Sequence, residues 1–364
     1  MNYHRLWWPA VFVLVSGCRK ESQVIPPEKP TQARAVPTAP TEPKADRECA
    51  APLEPSDPVN VTIGNTSATA SGYQLTFHDP NPKGQIAFGV LGPINEDSGN
   101  NLLVLKRYLK FFSDEKVDAI IVTGDTGEVP AGIARVLKLV ADSKLPVLVI
   151  AGNRECRSDF TEGVNLAKKD HSNIVNMNAF RSVQFPEATL VSLPGYHDPD
   201  YINCATGCRY YKSTVNEVIS VAKQSKGPVI LVAHGSPRGD GSQGLDYASS
   251  GGNVGDREIN RAIKEGNIGF GIFSNIKEAG ARATDANGTT VVRQGQWSKN
   301  LYLNPGPADT VGWDMNDSTK SYGLASMLTV KNGLGNWKLY RAKALTPAER
   351  IQAKAISVSS SPAP

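Results

Sequence analysis

The sequence has no strong charge of either sign and no internal repeat. Its 364 residues carry 39 lysines and arginines against 35 aspartates and glutamates, and the formal net charge of +4 is spread along the chain. A domain that binds nucleic acid usually concentrates its basic residues on one face. The even spread excludes nucleic acid as the expected partner, and the absence of repeats excludes a solenoid.

Long hydrophobic runs are also scarce. The apolar stretch at residues 6–15 follows His4 and Arg5 and is too short to cross a bilayer, which takes about 20 apolar residues. A short apolar core after a positive start is typical of an export signal. This one ends in Val15-Ser16-Gly17-Cys18.

That ending resembles the lipobox of bacterial lipoproteins. The resemblance implies that residues 1–18 are a signal peptide and that Cys18 is lipidated and becomes the mature N-terminus. The protein would then be exported and held on a membrane through Cys18. Arg19 favours the outer membrane, facing the periplasm, and an ordinary secretory signal with a chance cysteine is the alternative.

No Cys-x-x-Cys pair is present, so a structural zinc site is the less favoured use of the cysteines. Cys49, Cys156, Cys204 and Cys208 remain after Cys18. An even number of cysteines in an exported chain predicts two disulfides, with three pairings available. The short spacing favours a local loop between Cys204 and Cys208, which leaves Cys49 for Cys156.

Composition divides the chain into segments. Residues 19–58 are rich in Pro, Ala, Thr, Glu and Lys, which predicts a disordered tether. Residues 59–344 contain the periodic apolar segments and form the predicted domain. Residues 345–364 are a C-terminal tail with one short predicted helix.

Within the domain, short buried strands alternate with amphipathic helices, which indicates an α/β fold. Residues 119–153 form a strand-helix-strand unit, and polar loops at Asp125 and Asn153 follow its strands. Ligands of open α/β sheets bind outside such strand ends. Late strands without helices predict a second sheet, so we expect one domain of two packed mixed sheets with helices outside.

The order of the loop motifs resembles the calcineurin-like metallophosphoesterases. Gly124-Asp125, Gly152-Asn153, His234-Gly-Ser-Pro, Ser274-Asn-Ile-Lys and Asn304-Pro-Gly follow one another over residues 86–330. The branch with His-Gly-Pro-Pro and Gly-His-Ile-His-Glu motifs is the most similar. The resemblance implies a four-layer α/β/β/α sandwich and a centre of two divalent metals that hydrolyses phosphate esters.

By this resemblance, Asp125 matches the carboxylate that bridges both metals. Asn153 and His234 match ligands of the second metal, and Asn275 stands where a further ligand would be. The first strand ends without the Asp-x-His of the family. Arg154 stands in place of the Gly-Asn-His histidine, which protonates the leaving group in the family. Lys277 stands in place of the last histidine of Gly-His-x-His.

A charged lysine or arginine cannot bind a metal. We therefore expect the dinuclear centre to be largely lost, with no residue assigned a catalytic role. The leading hypothesis is a non-catalytic module that binds an anionic or phosphorylated ligand, or acts as a scaffold for an unidentified protein partner. The predicted anion-binding residues are Arg154, Lys277, Arg238 and Arg282.

Two alternatives stay open. The first is an active phosphoesterase, for phosphomonoesters or diesters, with one divalent metal of the Mn, Fe, Zn or Mg class held by Asp125, Asn153 and His234. The second is a structural envelope protein with a vestigial cleft and no cofactor.

Overall fold

Strands and helices alternate along the chain in the computed structural model, as predicted. The structure describes residues 48–79 and 81–358. The predicted signal peptide, Cys18 and residues 19–47 of the predicted tether therefore lie outside the described residues. The helices are α1 (Gly99–Glu115), α2 (Pro130–Ala141), α3 (Arg157–Lys168), α4 (Lys212–Gln224), α5 (Arg257–Glu265) and α6 (Pro347–Val358).

The strands are β1 (Val59–Ile63), β2 (Thr66–Ser71), β3 (Gln74–Phe77), β4 (Ile86–Leu91), β5 (Ala119–Val122), β6 (Val147–Val149), β7 (Ile174–Asn176), β8 (Ser182–Gln184), β9 (Thr189–Leu193), β10 (Val229–Ala233), β11 (Tyr247–Ala248), β12 (Gly252–Asn253), β13 (Phe270–Ile272), β14 (Arg282–Thr284), β15 (Leu301–Asn304), β16 (Trp313–Asp314), β17 (Lys320–Ser321), β18 (Leu324–Lys331) and β19 (Leu334–Arg341).

These strands form two large mixed sheets. The six-stranded sheet has the order β19-β18-β4-β5-β6-β7, and the nine-stranded sheet has the order β1-β2-β3-β8-β9-β10-β13-β15-β14. Strands β4 to β7 run parallel to one another, as do β9, β10, β13 and β15. The remaining short strands pair as β11-β12 and β16-β17.

Three apolar layers hold the sheets and helices together. Phe88 and Leu148 of the six-stranded sheet pack against Ile230 and Ile272 of the nine-stranded sheet. Helices α1, α2 and α3 cover the outer face of the six-stranded sheet, and α4 and α5 cover the outer face of the nine-stranded sheet. The predicted four-layer α/β/β/α sandwich is confirmed.

The central strand-helix-strand unit has the predicted form. All four residues of β5 are buried, as expected for a strand covered on both faces. Helix α2 starts at Pro130, where the missing N–H has no cost. Ile133, Val136, Leu137 and Val140 recur at helical spacing and are fully buried.

One edge of the nine-stranded sheet is a run of three antiparallel strands, β1, β2 and β3, over residues 59–77. Gly64 and Gly72 make the two intervening turns with φ of +61° and +56°, a region that favours glycine.

The last residues of the predicted tether contact the domain. Ala51 N–H donates to the Asn178 carbonyl at 2.8 Å, and Arg181 Nη1 donates to the Ala51 carbonyl at 3.0 Å. Leu53 packs against the cluster beneath α4. The described contacts of this segment begin at Glu48, which accepts a hydrogen bond from the Thr214 hydroxyl.

Both disulfides form, but the predicted pairing is wrong. Cys49 bonds to Cys208, and Cys156 bonds to Cys204. Cys208 is fully buried in the apolar layer between the six-stranded sheet and its helices, and Cys49 packs against the same layer. Cys156 pairs with Gly207 in a β-bridge and so lies beside Cys204. The β-bridge between Cys156 and Gly207 joins segments about 50 residues apart in the sequence, a contact that the spacing of the cysteines does not reveal.

The predicted tail contributes to the fold through α6. Arg107 of α1 forms an ion pair with Glu349, and Ala353 is buried. Residues 359–364 lie outside the described residues. Within 48–79 and 81–358, none of the helices combines the length and the apolar character needed to cross a membrane.

Candidate functional site

The polar loops meet at the carboxyl ends of parallel strands from both sheets. Asp125 follows β5 and Asn153 follows β6 in the six-stranded sheet, whereas His234 follows β10 and Lys277 follows β13 in the nine-stranded sheet. The structure brings these four side chains together, because the two sheets pack with these strand ends at one edge. The site therefore lies where an open α/β sheet is expected to bind ligands.

Asp125 is the centre of the site and is 1% exposed. Its backbone has φ of +53°, a left-handed conformation that is uncommon for a residue other than glycine. A Cβ on Gly124 would lie 2.6 Å from the Cα of Gly152, and one on Gly152 would overlap the Asp125 carboxylate. These two glycines allow the loops after β5 and β6 to touch.

One carboxylate oxygen of Asp125 is held by the loop after β6. Asp125 Oδ1 accepts hydrogen bonds from the backbone N–H groups of Asn153 at 3.2 Å and Arg154 at 3.1 Å. His234 Nε2 lies 3.3 Å from the same oxygen. The other oxygen, Oδ2, faces Lys277.

The orientation of the Asn153 amide is fixed from outside the site. Its Nδ2 donates to the Tyr201 carbonyl at 2.5 Å, so its Oδ1 must be the atom that faces His234 Nε2 at 2.9 Å. Asn203 N–H also donates to the Asn153 carbonyl at 2.9 Å. The disulfide between Cys156 and Cys204 ties down the loop that makes these contacts.

His234 is surrounded by acceptors on both ring nitrogens. Its Nδ1 lies 2.8 Å from the Thr123 carbonyl, which can only accept, so Nδ1 carries a proton. Nε2 faces the two oxygens of Asn153 and Asp125. A bound cation, or a proton on Nε2, would satisfy these contacts. In metal sites, the ring nitrogen of a histidine that does not bind the metal commonly donates to such a carbonyl, which fixes the orientation of the ring.

Lys277 places its ammonium against the second carboxylate oxygen. Its Nζ lies 4.0 Å from Asp125 Oδ2 and 5.2 Å from the centre of the Trp313 ring. Trp313 Nε1 donates to Asp309 Oδ1 at 2.8 Å. Burial raises the pKa of Asp309, and the charge of Lys277 acts in the opposite direction. The ammonium is therefore surrounded by two carboxylates and an aromatic face, an environment that suits a cation.

The two metal positions of the family can be tested against these donors. On the Oδ1 side, Asp125, Asn153 and His234 converge and their atoms fit one cation. On the Oδ2 side, the nearest group is the Lys277 ammonium, which cannot donate an electron pair. Ile94 is buried where the family has a ligand. A dinuclear centre does not fit this donor set.

The loop after β4 explains why the first metal position has no further ligand. The resemblance expects Asp-x-His at the end of β4, where this chain has Gly92-Pro93-Ile94, and a Cβ on Gly92 would overlap the Gly306 carbonyl. Within the described part of the chain, no group of three or more His, Cys, Asp or Glu side chains is arranged to hold a metal ion. The loop after β4 would have to shift away from Gly306 to make room for an aspartate side chain at position 92.

Glu155 is a site residue that the sequence analysis missed. Its carboxyl is fully buried, and it accepts backbone hydrogen bonds from Thr126 at 2.5 Å and Gly152 at 2.9 Å. Burial, and then the charge of Asp125, raise its pKa from 4.5 to about 8, while the backbone N–H groups lower it. It links the loops after β5 and β6. The only sequence signal was its position directly after Gly152-Asn153-Arg154.

The other predicted residues do not converge on Asp125. Asn275 forms a side-chain hydrogen bond with Tyr196. Arg154 contributes its backbone N–H to Asp125, while its guanidinium is paired with Glu128. Arg282 Nη1 donates to the Ser242 carbonyl at 2.9 Å, and Arg238 lines a separate cavity. The four predicted anion-binding residues thus lie in different surroundings.

A cleft of about 470 Å³ lies beside the site. Four carboxylates and one guanidinium are among its lining groups, with half-buried Trp313 at one side. The lining residues are Asn95, Glu96, Asp97, Asn101, Gly127, Glu128, Val129, Gly132, Arg154, Asp309, Val311 and Trp313. Lys277 is paired with Asp125 and Arg154 is paired with Glu128, so neither is an uncompensated positive charge.

Comparisons with known proteins find distant similarities among solved structures. No curated protein matches the chain. Among solved structures, GAP50, the anchor in the inner membrane complex of Plasmodium, is 13% identical with a TM-score of 0.43, covering 77% of this chain and 95% of its own. A dimetal phosphatase from Danio rerio is 10% identical with a TM-score of 0.42, covering 71% and 99%. Both similarities are too distant to indicate a function.

The family model for the calcineurin-like phosphoesterase matches residues 97–270. This range contains the loops of Asp125, Asn153 and His234, which the structure brings together at one sheet edge. Residues 97–270 of the chain therefore form a calcineurin-like phosphoesterase domain.

Proposed function

We propose that this protein is a non-catalytic ligand-binding or scaffold module of the bacterial envelope, built on the phosphoesterase fold. The observation that carries the proposal is the position of Lys277, whose ammonium lies 4.0 Å from Asp125 Oδ2. By the family resemblance, the carboxylate of Asp125 would bridge two metals. A tethered cation supplies the charge that the carboxylate needs, but it cannot activate water or bind a phosphate ester as a metal does.

The substitution at Arg154 supports the same conclusion. The family has a histidine at this position, which protonates the leaving group. A guanidinium stays charged at any physiological pH and does not give up its proton. Arg154 is in addition ion-paired with Glu128. The chain therefore has no proton donor where the family chemistry needs one.

A direct test is hydrolysis of a generic phosphodiester with Mn²⁺. We expect wild-type protein and the Asp125→Ala variant to give the same rate, equal to the background without protein, because no dinuclear centre forms. A related enzyme with the full ligand set serves as the positive control. Hydrolysis by the wild type that Asp125→Ala abolishes would show that the protein is an enzyme.

The second candidate function is a phosphoesterase with a single cation. It is favoured by one observation, the convergence of Asp125, Asn153 and His234 on one point. These residues would hold the cation, which supplies Lewis-acid polarisation of a phosphoryl oxygen. Hydrolysis lost equally in Asp125→Ala and His234→Ala variants, with one metal per chain, would favour this function over the first.

The membrane anchor belongs to the same proposal, and it is supported by the lipobox-like end at Cys18 and by two disulfides, which are typical of exported proteins. We expect the full-length protein expressed in a Gram-negative host to enter the detergent phase of a Triton X-114 extraction. The Cys18→Ser variant should stay in the aqueous phase. Equal partitioning of both would contradict lipidation.

A further inference from the structure

A second polar cavity lies apart from the cleft beside Asp125. It has a volume of about 630 Å³ and lies between the loop after β10 and the start of α5. It shares no lining residue with the cleft. Its lining residues are Arg238, Gly239, Asp240, Asn253, Arg257, Asn260 and Asn287.

The backbone of this cavity is held firmly by side chains of its own wall. Asn260 of α5 accepts from Arg238 N–H at 2.7 Å and donates to the Arg238 carbonyl at 3.0 Å. Asn253 accepts from Gly241 N–H at 2.9 Å. Asp240 N–H donates to the Asn287 carbonyl at 2.9 Å. The cavity is therefore a defined part of the fold and needs no ligand to form.

Two guanidinium groups in this cavity lack partners. Within residues 48–79 and 81–358, neither the Arg238 nor the Arg257 side chain forms an ion pair or a hydrogen bond. Both side chains are exposed, whereas Arg341, which is also exposed, is paired with Asp317. Arg257 is also the first residue of α5, where the helix dipole adds partial positive charge. Asp240 is the only acid among the lining residues.

We propose that this cavity binds a phosphoryl or sulfo oxyanion carried on a polar molecule. The planar guanidinium matches such oxyanions with two parallel hydrogen bonds, and two of them supply charge for a polyvalent group. The Asn287 amide can accept and donate hydrogen bonds to hydroxyl groups of the carrier. The lining has no aromatic or large aliphatic side chain, so it offers nothing for a nucleobase or an acyl chain.

This site goes beyond the proposed function, since it uses neither Asp125 nor Lys277. Arg238 was predicted to bind anions next to Asp125, and the structure places it with Arg257 instead. Arg154 and Lys277 would each have to leave a carboxylate to bind an anion. Arg238 and Arg257 have no such competitor.

His197 provides an internal reporter for the site. Burial lowers its pKa most strongly, and Arg209 and Arg238 lower it further, while Asp256 and Asp198 raise it. An oxyanion bound to Arg238 neutralises one of the two cations. We therefore expect the ligand to raise the pKa of His197, measured by NMR titration and assigned with a His197→Gln variant.

The main experiment measures binding of inorganic pyrophosphate to the full-length protein by calorimetry at constant ionic strength. We expect the Arg238→Ala and Arg257→Ala variants each to weaken binding about tenfold, the loss of one charged hydrogen-bonded contact. The Arg238→Lys variant should lose part of the affinity, because lysine keeps the positive charge but cannot donate two parallel hydrogen bonds from a planar group. Arg157→Ala is the matched control, since it removes an exposed arginine from the first position of α3.

A second arm uses protein that lacks residues 1–18, mixed with vesicles of phosphatidylglycerol or of phosphatidylcholine. Arg238-dependent binding to the phosphatidylglycerol vesicles would identify a lipid headgroup as the carrier, and a response to pyrophosphate alone would identify a free molecule. Either result supports an oxyanion site. No binding in either arm, or an equal loss in Arg157→Ala, would overturn the proposal.

Discussion

The Lys277→Met variant should lose about 3 kcal/mol of its free energy of unfolding, measured by urea denaturation. Methionine keeps the apolar stem that packs near Trp313 but removes the charge. Asp125 is 1% exposed, and the Lys277 ammonium is the cation that faces its Oδ2. The backbone N–H groups of Asn153 and Arg154 still support Oδ1, which places the loss at the low end of the range for a broken buried pair.

Two controls separate this effect from the loss of any lysine. Lys320 pairs with exposed Asp314 at 2.8 Å, so Lys320→Met should cost far less stability than Lys277→Met. In an Asp125→Asn background, Lys277→Met should cost much less than in the wild type, because the charge to be compensated is gone. Equal losses for Lys277→Met and Lys320→Met would show that the ammonium does not compensate Asp125.

The Glu155→Gln variant should change how stability depends on pH. The pKa of Glu155 is raised in the folded protein from 4.5 to about 8, so the folded state holds this proton more tightly than the unfolded chain. Its contribution to stability is fully present below about pH 4.5 and is lost as the pH rises to about 8. The wild type should therefore lose about 1.4 kcal/mol per pH unit across this window, relative to the variant.

The difference between the two curves is the quantity to measure, since all other titrating groups contribute to both. The glutamine itself will cost about 1–3 kcal/mol at pH 4.5, because its amide cannot accept from both Thr126 and Gly152. Because the wild type loses more than this across the window, the two curves should converge and then cross before pH 8. Parallel curves between pH 5 and pH 8 would show that Glu155 titrates normally. Asp125→Asn should narrow the window, because the charge of Asp125 helps to raise this pKa.

The sequence predicts much of the fold because the decisive elements have strong periodic signals. Residues 119–153 form a strand-helix-strand unit as predicted, and the loops of Asp125 and Asn153 follow its two strands. Gly124 and Gly152 allow these loops to touch. The meeting of Asp125, Asn153 and His234 was predicted from motif order, which reflects the topology of parallel strands.

Other features depend on contacts between distant residues. The pairing of Cys49 with Cys208 depends on how the loop around Cys204 folds over the site, which residue spacing cannot show. Glu155 was overlooked because its raised pKa arises from complete burial beside Asp125, not from a local pattern. Arg238 was grouped with Arg154 from motif position, whereas the direction of its loop places it beside Arg257.

The central claim is that a lysine has replaced one metal of an ancestral pair, so the number of divalent ions per chain tests it most directly. Equilibrium dialysis of the purified protein against excess Mn²⁺, followed by elemental analysis, gives this number. The position of Lys277 against Asp125 predicts no more than one tightly bound ion per chain. Two ions per chain, both lost in the Asp125→Ala variant, would show that the dinuclear centre is intact and that the claim is wrong.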